Sequence, residues 1–416
     1  MHGLLGKTLK HSFSKKIHES LGTPYELLET DDLSLFFESK DFDGINITIP
    51  YKEEVISYCD VIDPLVKRTN SCNTIVKKDG LLYAYNTDYT GFKESLSFHH
   101  ITFEGKMIAI IGNGATSRTI SALAEDLGAE QILVFARHPK ENEYSLDRFN
   151  DYKDISIMIN TTPVGMYPNI GDSLPCSLTS MKNLKIVIDV IYNPLKTTLL
   201  LEAEDAGLQT MNGLYMLVAQ AAKSYELFHH KQVSSKQILS LYRALKKEQS
   251  NIVFIGMPKS GKSLYSKIYA EKYHRELYDI DTLFEAKFHM AISTYFDQYK
   301  ESSFRKEEQA IIKEVSSYSG VVISTGGGAI LKKENVTNLK HNGIIVFIDA
   351  PLDILKNTKT LIHRPLLQND EALENLYKKR YQRYLDTADI VLKKQTLHTS
   401  TNINALEALL YEYFGT

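Results

Sequence analysis

Tryptophan is missing from this 416-residue chain, and cysteine occurs three times. Cys59, Cys72 and Cys176 are too few and too scattered for a disulfide framework or a thiolate metal centre. An excess of one charge is lacking as well: 48 Lys and Arg stand against 51 Asp and Glu, a net charge of -3. That balance gives no basic surface for nucleic acid. No run approaches the roughly 20 apolar residues that a membrane helix needs. The stretch Met1-His2-Gly3-Leu4-Leu5-Gly6 lacks the basic-then-apolar plan of a secretory signal. The expectation is a globular chain of the reducing cytoplasm whose partners are small molecules, with neither nucleic acid nor membrane. What is present is ordinary, 43% hydrophobic and 24% charged residues, and the length has room for two or three domains.

The most specific stretch is Gly256-Met257-Pro258-Lys259-Ser260-Gly261-Lys262-Ser263. An apolar strand-like run, Asn251 to Ile255, precedes it, and a helix-like segment, Leu264 to Tyr273, follows. In that context GxxxxGK[ST] binds phosphate, because backbone N–H groups and a helix N-terminus surround the anion. Lys262 reaches the β- and γ-phosphates of ATP, and Ser263 can ligand Mg²⁺. Gly256, Lys259, Ser260 and Gly261 form the cradle. The loop lies too late in the chain to open its only domain, so another domain is expected before it.

Residues 1–99 mix short strands and helices. Gly44 to Ile49 alternates like a strand and stops at Pro50. Asn73 to Val76 and Leu82 to Tyr85 read as a strand pair joined through Lys78-Asp79-Gly80. At Lys106 a βαβ unit begins: strand Lys106 to Ile111, turn Gly112-Asn113-Gly114-Ala115-Thr116-Ser117, helix Arg118 to Leu127, strand Gln131 to Phe135. The turn is that of a dinucleotide site without its last glycine. The second strand ends in Ala136-Arg137-His138-Pro139-Lys140. No acid stands there to hold two ribose hydroxyls, and Arg137 is placed for a 2′-phosphate, which favours NADP(H) over NAD. Further strands, Ile155 to Ile159 and Lys185 to Val190, end in polar loops that could border a cofactor. Lys246 to Ser250 reads as a charged junction between two domains.

Residues 1–248 resemble the shikimate dehydrogenase family. The markers run in family order: His11-Ser12-Phe13-Ser14 with His18, Asn46 to Lys52, Asn73-Thr74, Asn86-Thr87-Asp88, the nucleotide turn, Asn160 to Met166, Asp189 with Tyr192 and Pro194, Asn212-Gly213 and Gln220. The resemblance implies a two-lobed α/β fold, with a substrate lobe of 1–100 plus 214–248 and an NADP-binding Rossmann lobe of 101–213. It implies a catalytic pair, Lys52 and Asp88, and substrate contacts from Ser12, Ser14, Thr48, Asn73 and Gln220. Gly112, Asn113, Gly114, Ala115, Arg137, His138, Thr161, Met166 and Gly213 would line the cofactor. A lysine beside the reacting carbonyl of 3-dehydroshikimate stabilises negative charge on its oxygen and supplies the proton. Departures from the family pattern include Thr8, Lys15, Glu19, Ser71, Asn113 and Thr161, and none removes a catalytic side chain.

Residues 251–416 resemble the shikimate kinase family, a P-loop α/β/α domain like the nucleoside monophosphate kinases. The markers are the phosphate loop, Asp279-Ile280-Asp281, Arg305 with Glu308, Gly326-Gly327-Gly328, Arg364-Pro365-Leu366-Leu367 and Arg380 with Tyr384. By resemblance, Asp279 orders Mg²⁺ with Ser263, and Asp281 binds the attacking hydroxyl of shikimate and can serve as base. Arg305 and Arg380 clamp the carboxylate. The three glycines contact the ring, and Arg364 belongs to a lid over ATP. Leu264 and Asn357 depart from the pattern, with Lys356 and Lys359 near the second position. The product of the first half is the substrate of the second, so a bifunctional enzyme of aromatic amino acid biosynthesis is expected. The alternatives are activity in one half only, and a first half working on quinate or with NAD.

Overall fold

The computed structural model describes residues 1–9, 12–39, 41–358, 370–394 and 398–415. They pack as two compact units. One takes Met1–Val164, Ser173–Tyr192 and Glu202–Ala244, and the other takes Gly165–Asp172, Asn193–Leu201 and Leu245–Thr416. Both are α/β, as expected. No described helix is long and apolar enough to cross a membrane.

The first unit holds two six-stranded sheets. The strands of one are β1 (His2–Gly6), β2 (Glu26–Glu29), β3 (Gly44–Ile47), β4 (Val61–Ile62), β5 (Thr74–Lys78) and β6 (Leu81–Tyr85), in the order β2-β1-β3-β5-β6-β4. β5 runs antiparallel to both its neighbours. The β5–β6 turn sits where the sequence places it, with Asp79 and Gly80 both at positive φ. That is the geometry an Asp-Gly hairpin turn requires. Ile45, Ile47, Ile75 and Leu82 anchor the core of this sheet.

The other sheet, β7 (Met107–Ile111), β8 (Gln131–Ala136), β9 (Tyr144–Ser145), β10 (Ile157–Asn160), β11 (Ile186–Asp189) and β12 (Gln209–Met211), is wholly parallel. Its order is β12-β11-β10-β7-β8-β9. The direction of winding reverses at β7, so the crevice beyond the end of β7 is where a dinucleotide belongs. Strands buried on both faces read as near-continuous apolar runs, which is why Ile108-Ala109-Ile110-Ile111 was legible.

The second unit has one parallel sheet, β13 (Asn251–Ile255), β14 (Leu277–Asp279), β15 (Val322–Ser324), β16 (Gly343–Asp349) and β17 (Ile390–Lys393), in the order β14-β15-β13-β16-β17. Side chains of β13 alternate between two cores. Val253 and Ile255 pack with Ile345, Phe347 and Tyr384 on one face. Ile252 and Phe254 pack with Tyr265, Tyr269 and Leu406 on the other. The phosphate loop leaves β13 at the point where the winding reverses.

Two local readings are corrected. The helix expected from Arg118 starts at Ala115, and the one expected from Leu264 starts at Lys262. In each case the residues after the glycine already have helical backbone, so that their N–H groups point into the turn. The charged junction Lys246 to Ser250 is mostly helical. The helix Ser235–Gln249 runs through it, and one residue separates that helix from β13. Arg275 donates to the carbonyls of Lys247 (2.6 Å) and Ser250 (2.5 Å), a cation on the negative end of a helix.

His18 is fully buried, stacked on Tyr25 at 4.2 Å, and neither ring nitrogen has a hydrogen-bond partner. Burial, with His2 and His229 close by, pushes its pKa down to about 3. The folded state therefore binds fewer protons than the unfolded chain once pH falls below the ordinary value of 6.5. Stability is present above that pH and is lost progressively toward about 3, by roughly 2 kcal/mol at about pH 5. His18→Phe, which keeps the stacking, is expected to flatten this acid dependence in thermal unfolding curves. A variant that loses stability with acid as steeply as the wild type would refute the assignment to His18.

Candidate active sites

In the first unit the site grows from a helix start. Asp88 lies in the first turn of the helix Thr87–Phe98, where the helix dipole favours a carboxylate. The end is capped from outside: Asn73 Oδ1 accepts from the Thr87 backbone N–H at 2.7 Å. The same side chain donates through Nδ2 to Asp88 Oδ1 at 2.9 Å. Lys52, in the turn after β3, donates to the other oxygen, Asp88 Oδ2, at 2.6 Å. Both members of the pair are largely buried, at 15% and 8% side-chain exposure. Gln220 joins through a 3.4 Å bond from Asn73. It comes from the helix Leu214–His229, which can approach because Gly91 faces it: a Cβ there would lie 2.7 Å from the Gln220 Cβ.

Behind this group runs a buried polar network that sequence reading missed. Asn46 accepts from Tyr25 Oη at 2.7 Å and donates to Ser224 Oγ at 2.7 Å. Ser224 also meets Thr74 at 3.0 Å and Thr87 at 3.1 Å. Asn46 and Thr87 stood within recognised motifs, but nothing local in the sequence pairs them with Ser224. Thr48 and Ser12 are half-buried and Ser14 is buried. Ser14 donates its N–H to Ser12 Oγ at 3.2 Å, and among the described residues neither serine bonds to the Lys52–Asp88 pair. The departures Lys15 and Glu19 pair with each other at 3.7 Å on the exposed side of their helix. His11 lies outside the described residues.

At the nucleotide turn Gly112 has φ +106°, and Gly114 is the last residue before the helix that opens at Ala115. A Cβ on Gly112 would lie 2.6 Å from Thr161 Oγ1, so strand end and turn are in close approach. Thr161 donates its hydroxyl to the Ile111 carbonyl at 2.7 Å. Gly213 presses on the Val190 carbonyl, leaving no space for a side chain. Arg137, at the end of β8, and His138 are exposed, with no carboxylate on Arg137 among the described residues. Asn113 reaches across the turn, donating to the His138 carbonyl at 3.1 Å and to Glu143 at 2.8 Å. Met166 is exposed on a segment that packs within the second unit.

In the second unit, Gly256, Lys259 and Gly261 all take positive φ, at 148°, 70° and 103°, and curve the loop. Lys262 is buried and donates to the carbonyls of Gly256 and Met257, both at 3.0 Å. Ser263 Oγ donates to Asp279 Oδ2 at 2.9 Å, which brings the two expected Mg²⁺ ligands together. Ser260 Oγ is buried without a partner, an unmet polar atom inside the cradle. The donor set and this orphaned hydroxyl fit a bound polyphosphate. Lys394, at the end of β17, was not foreseen: it is buried and sits 3.3 Å from the Ser260 carbonyl.

Beside the loop, Asp281 Oδ1 and Glu308 Oε1 would lie 2.9 and 3.0 Å from a Cβ on Gly326. The Arg305 guanidinium lies over Gly328, 2.4 Å from where a Cβ would stand, so a side chain there would displace it. Arg305 donates to Glu308 at 2.7 Å and to Glu301 at 3.1 Å. Burial raises the Glu308 carboxyl pKa against the pull of Arg305, and the charge of Asp281 adds to the rise. Arg380 donates to the Gly327 carbonyl at 2.9 Å, as does the Tyr384 hydroxyl at 2.5 Å. Lys356, a candidate to replace the missing lid cation, is bound to Glu374. Arg364 and Lys359 lie outside the described residues.

Residues 4–75 match the family model for the shikimate dehydrogenase substrate binding domain, and residues 258–409 match that for shikimate kinase. A shikimate dehydrogenase (NADP(+)) of Clostridium perfringens is 36% identical over 274 residues, covering 59% of this chain and 98% of that protein. The solved structure of shikimate dehydrogenase 1 from Peptoclostridium difficile is 34% identical with a TM-score of 0.55, over 59% of this chain and 97% of the other. A shikimate 5-dehydrogenase from Thermus thermophilus, solved with NADP(H) and shikimate, is 26% identical with a TM-score of 0.52, over 58% and 98%.

Proposed function

We infer that this chain, which belongs to the shikimate dehydrogenase family and carries a shikimate kinase family domain behind it, catalyses two consecutive reactions. The first is the reversible, NADPH-dependent reduction of 3-dehydroshikimate to shikimate. The second is the transfer of the γ-phosphoryl group of Mg²⁺-bound ATP to the 3-hydroxyl of shikimate. One observation carries the reading above the others: Lys52 is held on Asp88 in one unit, and Lys262 and Ser263 stand on the phosphate loop in the other, the residue types that each step calls for.

In the first reaction NADPH, when bound, supplies a hydride to the carbonyl carbon. Lys52 stabilises the charge that develops on the carbonyl oxygen and gives up the proton that turns it into a hydroxyl. Asp88 keeps the ammonium aimed, and Asn73 keeps Asp88 aimed. Ser12, Ser14, Thr48 and Gln220 orient the acid and its hydroxyls. Arg137 takes the 2′-phosphate, with Gly112, Gly114, Ala115 and Gly213 shaping the floor. Replacing Arg137 with alanine is expected to raise the KM for NADPH about tenfold and to leave NADH nearly unchanged, as for the loss of one charged hydrogen bond. Equal effects on the two cofactors would remove Arg137 from the 2′-phosphate.

In the second reaction the substrate hydroxyl oxygen bonds to the γ-phosphorus while the bond to the leaving ADP oxygen breaks. Asp281 receives the hydroxyl proton. Lys262 and Arg364 balance charge on the moving phosphoryl group. Arg305 and Arg380 hold the substrate carboxylate, with Gly326, Gly327 and Gly328 against the ring.

The test is one reaction. Purified protein is mixed with 3-dehydroshikimate, NADPH, ATP and Mg²⁺, and products are followed by mass spectrometry. Shikimate 3-phosphate that needs both NADPH and ATP is the expected result. Shikimate alone would reject the kinase half. No product, with added shikimate still phosphorylated, would reject the dehydrogenase half.

A further inference from the structure

The end of β8 carries no acid, yet a carboxylate reaches that place from the loop beyond it. Glu143 Oε2 accepts from Asn113 Nδ2 at 2.8 Å and from the Lys140 backbone N–H at 2.7 Å. Asn113 is the middle residue of the nucleotide turn, between Gly112 and Gly114. It also bonds the His138 carbonyl, so the turn and the β8–β9 loop are laced together through one side chain. The other oxygen, Glu143 Oε1, has no hydrogen bond among the described residues. Asn113, Ser117, Lys140 and Glu143 line one pocket of about 280 Å³, which Arg68 and Arg118 also border. Arg137 stands exposed on the same loop.

We propose that Glu143 sets the cofactor preference of the dehydrogenase unit: its carboxylate accepts a hydrogen bond from a ribose hydroxyl of NADH and repels the 2′-phosphate of NADPH. The proposal rests on the reading of this turn as the nucleotide site. A fixed carboxylate at the adenosine end of a Rossmann crevice accepts from ribose hydroxyls. The same charge opposes a phosphate dianion across a part-exposed gap. Arg137 favours the phosphate, and Glu143 opposes it from the same loop. Glu143 therefore narrows the preference for NADPH that Arg137 creates. It also explains Asn113 in a turn that usually has a small residue there, since its amide is what holds Glu143 in place.

The test is calorimetric binding to the full chain with two probes that differ only in the 2′-phosphate, adenosine 5′-monophosphate and adenosine 2′,5′-bisphosphate. Glu143→Gln keeps an acceptor oxygen for Asn113 and Lys140 and removes only the charge. The variant is expected to bind the bisphosphate roughly fivefold tighter, or more, and the monophosphate no tighter than wild type. The gain should shrink at high salt, because a charge repulsion is screened and a change of loop shape is not. Equal shifts for both probes, no shift, or a gain that ignores salt would overturn the proposal. Wild-type protein that binds neither probe would overturn the nucleotide reading itself and this inference with it.

Discussion

Replacing Lys52 with alanine is expected to slow reduction of 3-dehydroshikimate by more than about a hundredfold while phosphorylation of added shikimate keeps its wild-type rate. The size follows from two losses at once. The amine that donates the proton is gone, and so is the positive charge facing the oxygen as it becomes negative. The second loss is the harsher in a site this dry, where Lys52 and Asp88 keep 15% and 8% of their side-chain surface. The change should fall on kcat more than on KM, because the residues proposed to orient the substrate, Asn73, Gln220 and the two serines, are untouched. The fold should tolerate it: Asp88 keeps its bond from Asn73 and its place at a helix start. Steady-state rates at saturating substrate decide the matter. A fall smaller than about tenfold would take Lys52 out of proton transfer. The kinase rate serves as the internal check, since Lys52 belongs to the unit that does not hold the phosphate loop.

The frame of both units was legible because parallel strands covered on both faces leave long apolar runs, and because turns that cradle phosphate need glycine at fixed spacing. β7, β10, β11 and β13 were found on that signal. β9, β12 and β17 were not. They are short strands at the ends of their sheets, and two to four residues carry too little pattern to stand out from loop. The site divides in the same way. Residues that the proposed chemistry requires, such as Lys52, Asp88, Lys262 and Asp281, stand in motifs. Residues that only hold those groups do not: Ser224 is one of them, joined to Asn46 and Thr74 across 178 and 150 positions of chain. Glu143 was missed for a related reason. The acid of a dinucleotide site is sought at the strand end, and this one stands seven residues past Ala136 and reaches back only through Asn113.

Lys262→Ala is expected to abolish phosphorylation, by at least about a thousandfold, and to leave dehydrogenation intact. Phosphoryl transfer asks little covalent chemistry of the protein, so the rate rests on charge placed along the moving group. Lys262 now donates to the carbonyls of Gly256 and Met257, which pins the ammonium at the closed end of the loop. A bound polyphosphate offers a stronger acceptor, and the amine turns to it. Alanine removes that charge and also leaves two loop carbonyls short of a donor, so collapse of the loop must be separated from loss of catalysis. Two readings separate them. Dehydrogenase activity and the thermal unfolding profile report whether the protein is intact. ATP binding without turnover reports whether the cradle survives, since its backbone N–H groups and the helix N-terminus at Gly261 remain. Retained binding with lost turnover is the expected pair. It would mean that the loop binds nucleotide through its backbone and that the lysine acts on the transition state. Phosphorylation within about tenfold of wild type would instead move the charge to another group, and among the described residues Lys394, buried 3.3 Å from the Ser260 carbonyl, is a cation close to the loop.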